Sequence, residues 1–500
     1  MIKKCLLFVL ILCIATVCAW GTENPLGEKS DVVAAQPASD TSATMSAAET
    51  ASSADTPAEA APTKPEARPA VIYMQMRNMA EIGKKYDYLN PNNWGIPFNS
   101  NGNTILGDDY GIRSTLAKAK MSLYWDTTTL FVADIRNTNW VAPGDQNSNA
   151  EAYSGQAPNF VQNTFAQLTY NPTTTTQIIF GATQNFNNWI GVNGKQGTTI
   201  NALYINQLFM NKKLRVTLGF MPGEFVYEGI YTGGNLATGS LGIKAIIPFE
   251  VGASCCTTTR PAVNVRYTAS NKWYSMSAIQ QAENPAGTDE QKRRNPAGLR
   301  LNEAHSGAKL MGIEEFGVNR KAGPGQKEVW FRIDGFFNPS ANNDEGNLPY
   351  FLAHHKFAAV KSGAMSIAID KQITVTDKLL PYRGLYVNSV FQWASPEANP
   401  YQSYEQVAAY IKGPFKSRPM DAVFINAYRL QFSRSILNTL SVLHGHEFVY
   451  DDTASVSGTY GYWVKPGVIL SGNLSWVHHP QYGPKLPDAV LAFLGLKLWF

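Results

Sequence analysis

The chain of 500 residues is 44% hydrophobic and 12% aromatic but only 16% charged, where about 25% charged is ordinary for soluble domains. Its formal net charge is +4, and losing Lys3 and Lys4 with the N-terminal segment below lowers that to +2, a balance that argues against nucleic acid as a partner. No segment approaches the roughly 18 consecutive apolar residues of a membrane helix, so a membrane-resident chain must cross with strands.

The chain opens with two positive charges at Lys3 and Lys4, followed by the short apolar run Cys5 to Val17. Val17-Cys18-Ala19 offers small or modest side chains for cleavage, so residues 1–19 read as a secretory signal peptide cut after Ala19. Residues 20–69 are dominated by Ala, Ser, Thr, Pro and acidic residues. They cannot bury a core and are expected to form a disordered periplasmic linker, a spacer or a contact with the cell wall.

From Ala70 the composition turns to aromatics, Gly and Asn. Short alternating runs recur without a helix-period stretch of any length, which is an all-β pattern. Residues 70–120 are read as a periplasmic lead-in segment and a candidate plug, and 121–500 as the β-domain.

Three hairpins are legible. Ala202 to Met210 turns at Asn211-Lys212-Lys213 and returns as Leu214, Val216, Leu218 and Phe220 against Arg215, Thr217 and Gly219. Val263, Val265 and Tyr267 alternate with Asn264, Arg266 and Thr268, then turn through Ala269 to Lys272 into Trp273 to Gln280. Thr459 to Val464 turns at Lys465-Pro466-Gly467 into Val468 to Trp476. Asn, Pro and Gly are expected in such turns.

In the last strand Val490, Ala492, Leu494, Leu496, Leu498 and Phe500 share one face, and Leu491, Phe493, Gly495, Lys497 and Trp499 the other. In a soluble sheet this ending leaves an exposed apolar edge. In a closed membrane barrel it has a partner on each side, with the apolar face toward lipid.

At roughly 25 residues per strand with its loops, the region from Ala70 holds about 16 strands, within the range of bacterial outer-membrane barrels. The fold class is therefore all-β: a transmembrane antiparallel β-barrel of about 16 strands, wide enough to leave an aqueous lumen. Counting back from the C-terminus puts the Lys465 turn in the periplasm and His478 to Pro487 outside, with short turns inside and longer loops outside.

Several segments resemble the carbohydrate-selective porins of the OprB type. Gly107-Asp108-Asp109-Tyr110-Gly111-Ile112-Arg113-Ser114-Thr115-Leu116 is similar to the Gly-Asp-x-x-Gly-x-Arg-x-x-Leu run before that family's first strand. Leu203 to Phe225 resembles its paired strands, Gly413 to Asp421 its Gly-x-x-x-x-Arg-Pro-x-Asp turn, and Trp476 to Leu498 its closing stretch, carried by Leu486-Pro487-Asp488-Ala489 and Leu494-Gly495-Leu496-Lys497-Leu498. Phe220, Ser457 and His479 depart from the family pattern, replacing an Arg, an acidic residue and an Asn.

The resemblance implies a bacterial outer-membrane porin that passes sugars and other small hydrophilic solutes by passive diffusion. It also implies outer-membrane lipids and the barrel assembly machinery, which recognises a C-terminal aromatic, as partners, and raises a homotrimer for which the sequence carries no interface signature. Neither cofactor nor metal nor catalysis is called for.

A sugar porin needs a constriction where charged side chains bond hydroxyls and aromatics stack on ring faces, weakly enough to permit exit. Alternation assigns Arg215, Arg266, Glu328, Trp330, Arg332 and Asp334 to lumen faces, with Val329, Phe331 and Ile333 opposing the last four. Asp370 is placed likewise against Ile367 and Ile369. Arg332 and Asp334 also fit a structural ion pair on the inner wall.

Three rivals stand beside this reading. A general diffusion porin for ions and small solutes needs no sugar site, and an adhesin or anchor would use the long loops. A barrel enzyme would have to use His354-His355, His444-Gly445-His446 or His478-His479. Adjacent residues on a strand face opposite sides, so a His-His pair is a poor shared ligand set. Cys255 and Cys256, the two cysteines left after the signal, are adjacent and unsuited to a mutual disulfide.

Overall fold

The computed structural model describes residues 68–92, 99–136, 159–187, 197–226, 246–254, 259–270, 272–301, 307–344, 347–356, 358–443, 449–479 and 487–500. Residues 1–67, Cys255, Cys256, His444 and His446 lie outside them.

Sixteen strands close into one antiparallel barrel, each paired with its neighbours in the chain and β1 with β16. They are β1 Met121–Asp134, β2 Asn159–Tyr170, β3 Thr176–Asn187, β4 Gly197–Phe209, β5 Leu214–Met221, β6 Arg260–Thr268, β7 Trp273–Gln281 and β8 Leu310–Arg320. The second half comprises β9 Val329–Asp344, β10 Ala358–Gln372, β11 Gly384–Ala394, β12 Tyr401–Lys412, β13 Ala422–Phe432, β14 Asp452–Lys465, β15 Val468–His478 and β16 Ala489–Trp499.

The closing seam runs from Asp126 opposite Trp499 to Asp134 opposite Leu491. It gives the apolar last strand two neighbours and leaves no open edge. The three hairpins read from sequence are present, with β4 beginning at Gly197 rather than Ala202 because its first residues pair with β3 through a register shift.

Alternation sorts each strand into two faces. Leu218, Ile279, Phe316, Phe337, Val407, Ile425, Leu474 and Leu494 are all more than half exposed. An exposed apolar band of this extent is stable only against hydrocarbon. The opposite faces carry Thr217, Asn264, Asn388, Gln406, Asn426, Ser455 and Asn473, all buried. Ser457, one of the departures from the family pattern, lies there too and donates to Asn426.

Helical stretches before and between the strands depart from the all-β reading of the sequence. Helix α1 spans Arg68–Tyr86, and its Met, Gln, Arg, Ala, Glu and Lys residues favour helix through propensity rather than through a clean apolar stripe. After a short α2, Ile112–Lys118, further helices lie in the long loops: α3 Ile246–Glu250, α4 Thr288–Arg294, α5 Leu348–His354 and α6 Arg434–Leu443.

The segment between α1 and β1 is bonded to the short-turn end of the barrel. Asn90 accepts from the Ser122 hydroxyl at 2.6 Å and, through its carbonyl, from Gln177 at 3.0 Å. Asn103 Oδ1 accepts from the Trp463 indole at 3.2 Å and the Gly467 amide at 3.1 Å, and the Ile105 amide donates to the Trp499 carbonyl at 2.8 Å.

The Gly107 to Leu116 motif builds this junction. Gly107 and Gly111 hold φ of +51° and +63°, which favours glycine. Asp108 accepts from the Tyr86 hydroxyl at 2.6 Å and the Ser114 amide at 2.9 Å. Arg113, buried, donates to the Gly107 carbonyl at 2.9 Å and to Asn101. Burial alone would push the Asp108 carboxyl up, but the hydrogen bonds from Tyr86 and Ser114 outweigh it and hold it below the usual aspartate value.

The turn from Gly413 to Asp421 is a second anchor at the same end. Arg418 forms a bidentate pair with Asp421 at 2.9 and 2.9 Å and donates to the Trp463 carbonyl at 2.6 Å. Gly413 has φ +63°, and a Cβ there would meet Arg383 Nε at 2.5 Å, so only glycine lets the Arg383 guanidinium reach the Gly413 carbonyl.

Candidate pore constriction

On the wall formed by β5 to β9, register places Arg215 opposite Arg266, Arg266 opposite Met276, Met276 opposite Glu315 and Glu315 opposite Asp334. Spacing of two along β9 puts Trp330, Arg332 and Asp334 on one face. The Arg266 guanidinium lies 3.7 Å from the Tyr274 ring centre, the Trp330 indole donates to the Tyr274 hydroxyl at 3.0 Å, and the Arg332 guanidinium lies 3.7 Å from the Trp330 ring centre. Arg266, Tyr274, Trp330 and Arg332 thus form one continuous stack, each cation–π contact worth about 2 kcal/mol where water is excluded. Arg332 is 3% and Asp334 1% exposed. Arg332 Nε and Nη1 have no hydrogen-bond partner among the described residues.

Glu328 and Asp370 belong to a second cluster that starts at Asp370, the register partner of Trp330, and extends toward the short-turn end. Glu328 pairs with Lys321 at 3.4 Å and Lys412 at 3.7 Å. Tyr386 and Tyr410 stack at 4.9 Å, the Lys412 ammonium sits 4.3 Å from the Tyr386 ring centre, and the Tyr410 hydroxyl donates to Asp370 at 2.5 Å. Arg215 is beside Arg266 in register but turns one nitrogen to the Asn92 carbonyl, which ties it to the N-terminal segment.

A part of the chain without sequence signal for it also packs against the inner wall. The loop between β5 and β6 folds inward and its α3 bridges two inner faces. Ile247 packs with Ala368, Val390, Tyr404, Leu430 and Leu437, while Val251, just past α3, packs with Met276, Ala282, Met311, Ile313 and Phe336. Ala368, the register partner of Arg332, belongs to the same buried cluster as Ile247, while Val251 is tied to Asn338, six residues along β9 from Arg332 toward the long loops. Asn338 holds the turn by donating to the Val251 carbonyl at 2.8 Å, and Gly252, at φ +106°, admits that amide where a Cβ would meet it at 2.7 Å.

Tyr274, Glu315, Tyr386, Tyr410 and Lys412 were not singled out by the sequence. Alternation assigns Tyr274 a face but Trp273 beside it has the opposite one, and only the pairing of β7 with β8 and β9 shows which aromatic faces inward.

The histidines follow a different pattern from the one their spacing suggests. His478 ends β15, and His479 has φ +49°, outside the strand. Left-handed backbone breaks the alternation, so the two rings come within 3.6 Å. Each is held by a carboxylate, His478 by Asp488 at 2.9 Å and His479 by Asp452 at 3.3 Å. His354 ends α5, stacked on Tyr350 at 4.1 Å. Among the described residues no group of three or more His, Cys, Asp or Glu side chains is arranged to hold a metal.

The family described as "Carbohydrate-selective porin, OprB family" matches residues 139–500. The chain belongs to this porin family. That assignment places the barrel in the bacterial outer membrane, its short turns facing the periplasm and its long loops outside.

The porin fold is also shared with the OprB of Pseudomonas putida in its high-pH structure, with a TM-score of 0.67, 15% identity, and coverage of 80% of this chain and 98% of that one. A protein named "Putative porin QuiX" from Acinetobacter baylyi is 27% identical over 131 residues, 24% of this chain. The match spans 30% of that relative's length.

Proposed function

We propose that this OprB-family porin passes carbohydrates by passive diffusion, and that Arg266 and Trp330, backed by the buried Tyr274, Arg332 and Asp334, form the binding surface of its constriction. The observation that carries this reading is the run of guanidinium and aromatic contacts from Arg266 through Tyr274 and Trp330 to Arg332 on the inner wall. A narrowing lined by guanidinium donors, a carboxylate and aromatic rings suits solutes with many hydroxyls and apolar ring faces. Charges of both signs, Arg332 and Arg266 with Asp334 and Glu315, favour neutral polar solutes over either ion.

Arg332 and Asp334 are almost wholly buried and set the charge of the wall from behind it, with Trp330 holding the Arg332 guanidinium flat, while the partly exposed Arg266 and Trp330 meet the solute. Arg215, Glu328 and Asp370 support the wall and mouth through Asn92, Lys321 and Tyr410 and sit outside the binding surface.

The test is osmotic swelling of proteoliposomes with isotonic sugars and salts of matched size. Sugar uptake faster than size alone allows, reduced about tenfold by R332Q with unchanged salt flux, supports the binding surface. Rates that follow size alone assign the chain to general diffusion.

A further inference from the structure

Lysines ring the periplasmic rim. Each short turn carries or adjoins at least one except the turn at 171–175, which Lys120 bridges by donating to the Pro172 carbonyl at 3.0 Å. Four acidic residues of the strand ends and turns here are already paired: Asp126 with Lys497 at 3.5 Å, Glu328 with Lys321 at 3.4 Å, Asp377 with Arg383 at 2.8 Å and Asp421 with Arg418 at 2.9 Å. By contrast Lys212, Lys213, Lys272, Lys378, Lys416 and Lys465 are exposed, without an ion pair among the described residues.

Backbone geometry gives the second observation. Lys120, Lys212 and Lys272 have φ of +59°, +67° and +71°, a region that favours Gly and Asn and strains a lysine. Asn or Gly would relieve the strain at these positions, as Asn211 does at φ +53° in the same turn as Lys212.

The third is depth. Phe209, Tyr267 and Trp273 point outward at 48%, 43% and 50% exposure, directly beside the turns that carry Lys212, Lys213 and Lys272. Those two turns are neighbours, joined by the Thr268 amide donating to the Lys213 carbonyl at 2.8 Å. Outward aromatics followed by a cationic row mark the level where hydrocarbon meets headgroup.

We infer that the rim around Lys212, Lys213 and Lys272 is a binding surface for net-anionic phospholipid headgroups of the periplasmic leaflet. The aromatics hold the acyl region while the three ammonium groups, fixed on left-handed turns, converge on phosphate. A cell-wall polymer, whose anionic groups are carboxylates, lies beyond the rim and has no use for outward aromatics at that level.

The test is native mass spectrometry of the refolded protein released from micelles with equal amounts of phosphatidylglycerol and phosphatidylcholine of identical chains. The wild type is expected to retain phosphatidylglycerol severalfold over phosphatidylcholine, with up to about fivefold lost per lysine removed. In K212N/K213Q/K272N the preference falls toward parity while thermal stability holds or rises, because Asn fits the left-handed positions. Equal retention of both lipids by the wild type, or a preference untouched by the triple variant, overturns the proposal. Lysine-dependent sedimentation with purified cell-wall sacculi in the absence of a lipid preference overturns it too, in favour of the wall.

Discussion

Asp421 accepts from Arg418, the Tyr460 hydroxyl and the Trp463 amide, so that β13, β14 and the turn before β13 meet on one carboxylate. Its side chain is 1% exposed. Removing it in D421A leaves Arg418 and the Trp463 amide unmatched, and the expected loss is about 3 kcal/mol in urea unfolding of the refolded protein. Asp108 adds a pH dependence at the same end. Its carboxyl is held below the unfolded aspartate value of about 3.9, so its contribution is complete above that pH and is lost as pH falls through the lower folded value. Amide exchange at Ser114 is expected to speed up below about pH 4 beyond the intrinsic trend, and Y86F is expected to shift that onset upward. Outside the membrane, Glu290 behaves alike. Hydrogen bonds from Arg293 and Arg294 hold it at about 2, so α4 keeps this support above about 4.5 and sheds it as pH falls toward about 2.

Among the elements, the roles we propose are narrowing of the lumen for α3 and cover of the periplasmic mouth for α1. Ile247 is fully buried, and its truncation to Ala is expected to cost about 2 to 4 kcal/mol locally. I247A is therefore expected to raise single-channel conductance and weaken any sugar block, while leaving strand content by circular dichroism unchanged. Docking of α1 depends on Gly102, where a Cβ would meet the Met79 carbonyl oxygen at 1.8 Å. G102A is expected to release α1, seen as new proteolytic cleavage near Met79.

The strands, their pairing and the closing seam were legible because lipid demands an apolar residue at every second position, a local rule written into sequences such as Leu214 to Phe220 and Val490 to Leu498. Inner-face residues were legible for the same reason. Their grouping was not, because Tyr274 and Trp330 meet only through the register of β7, β8 and β9, and Ile247 reaches Ala368 across more than a hundred residues of chain. The left-handed φ of His479 escaped for a related reason: alternation presumes a strand that has already ended there. The helix α1 escaped because Met and Gln propensity leaves little periodic trace.

For the molecule as a whole, a closed barrel of sixteen strands supplies the passage and an exposed apolar belt fixes it in the outer membrane. On the function proposed above, selectivity depends on the height in the lumen where the Arg266–Tyr274–Trp330–Arg332 contacts lie. Planar-bilayer recording of single refolded channels, with mono- and oligosaccharides added to the bath, probes that height directly. A binding constriction requires current block that saturates with sugar concentration and that R332Q or W330A largely abolishes without reducing open conductance. Steady ohmic current indifferent to every sugar tested would contradict it.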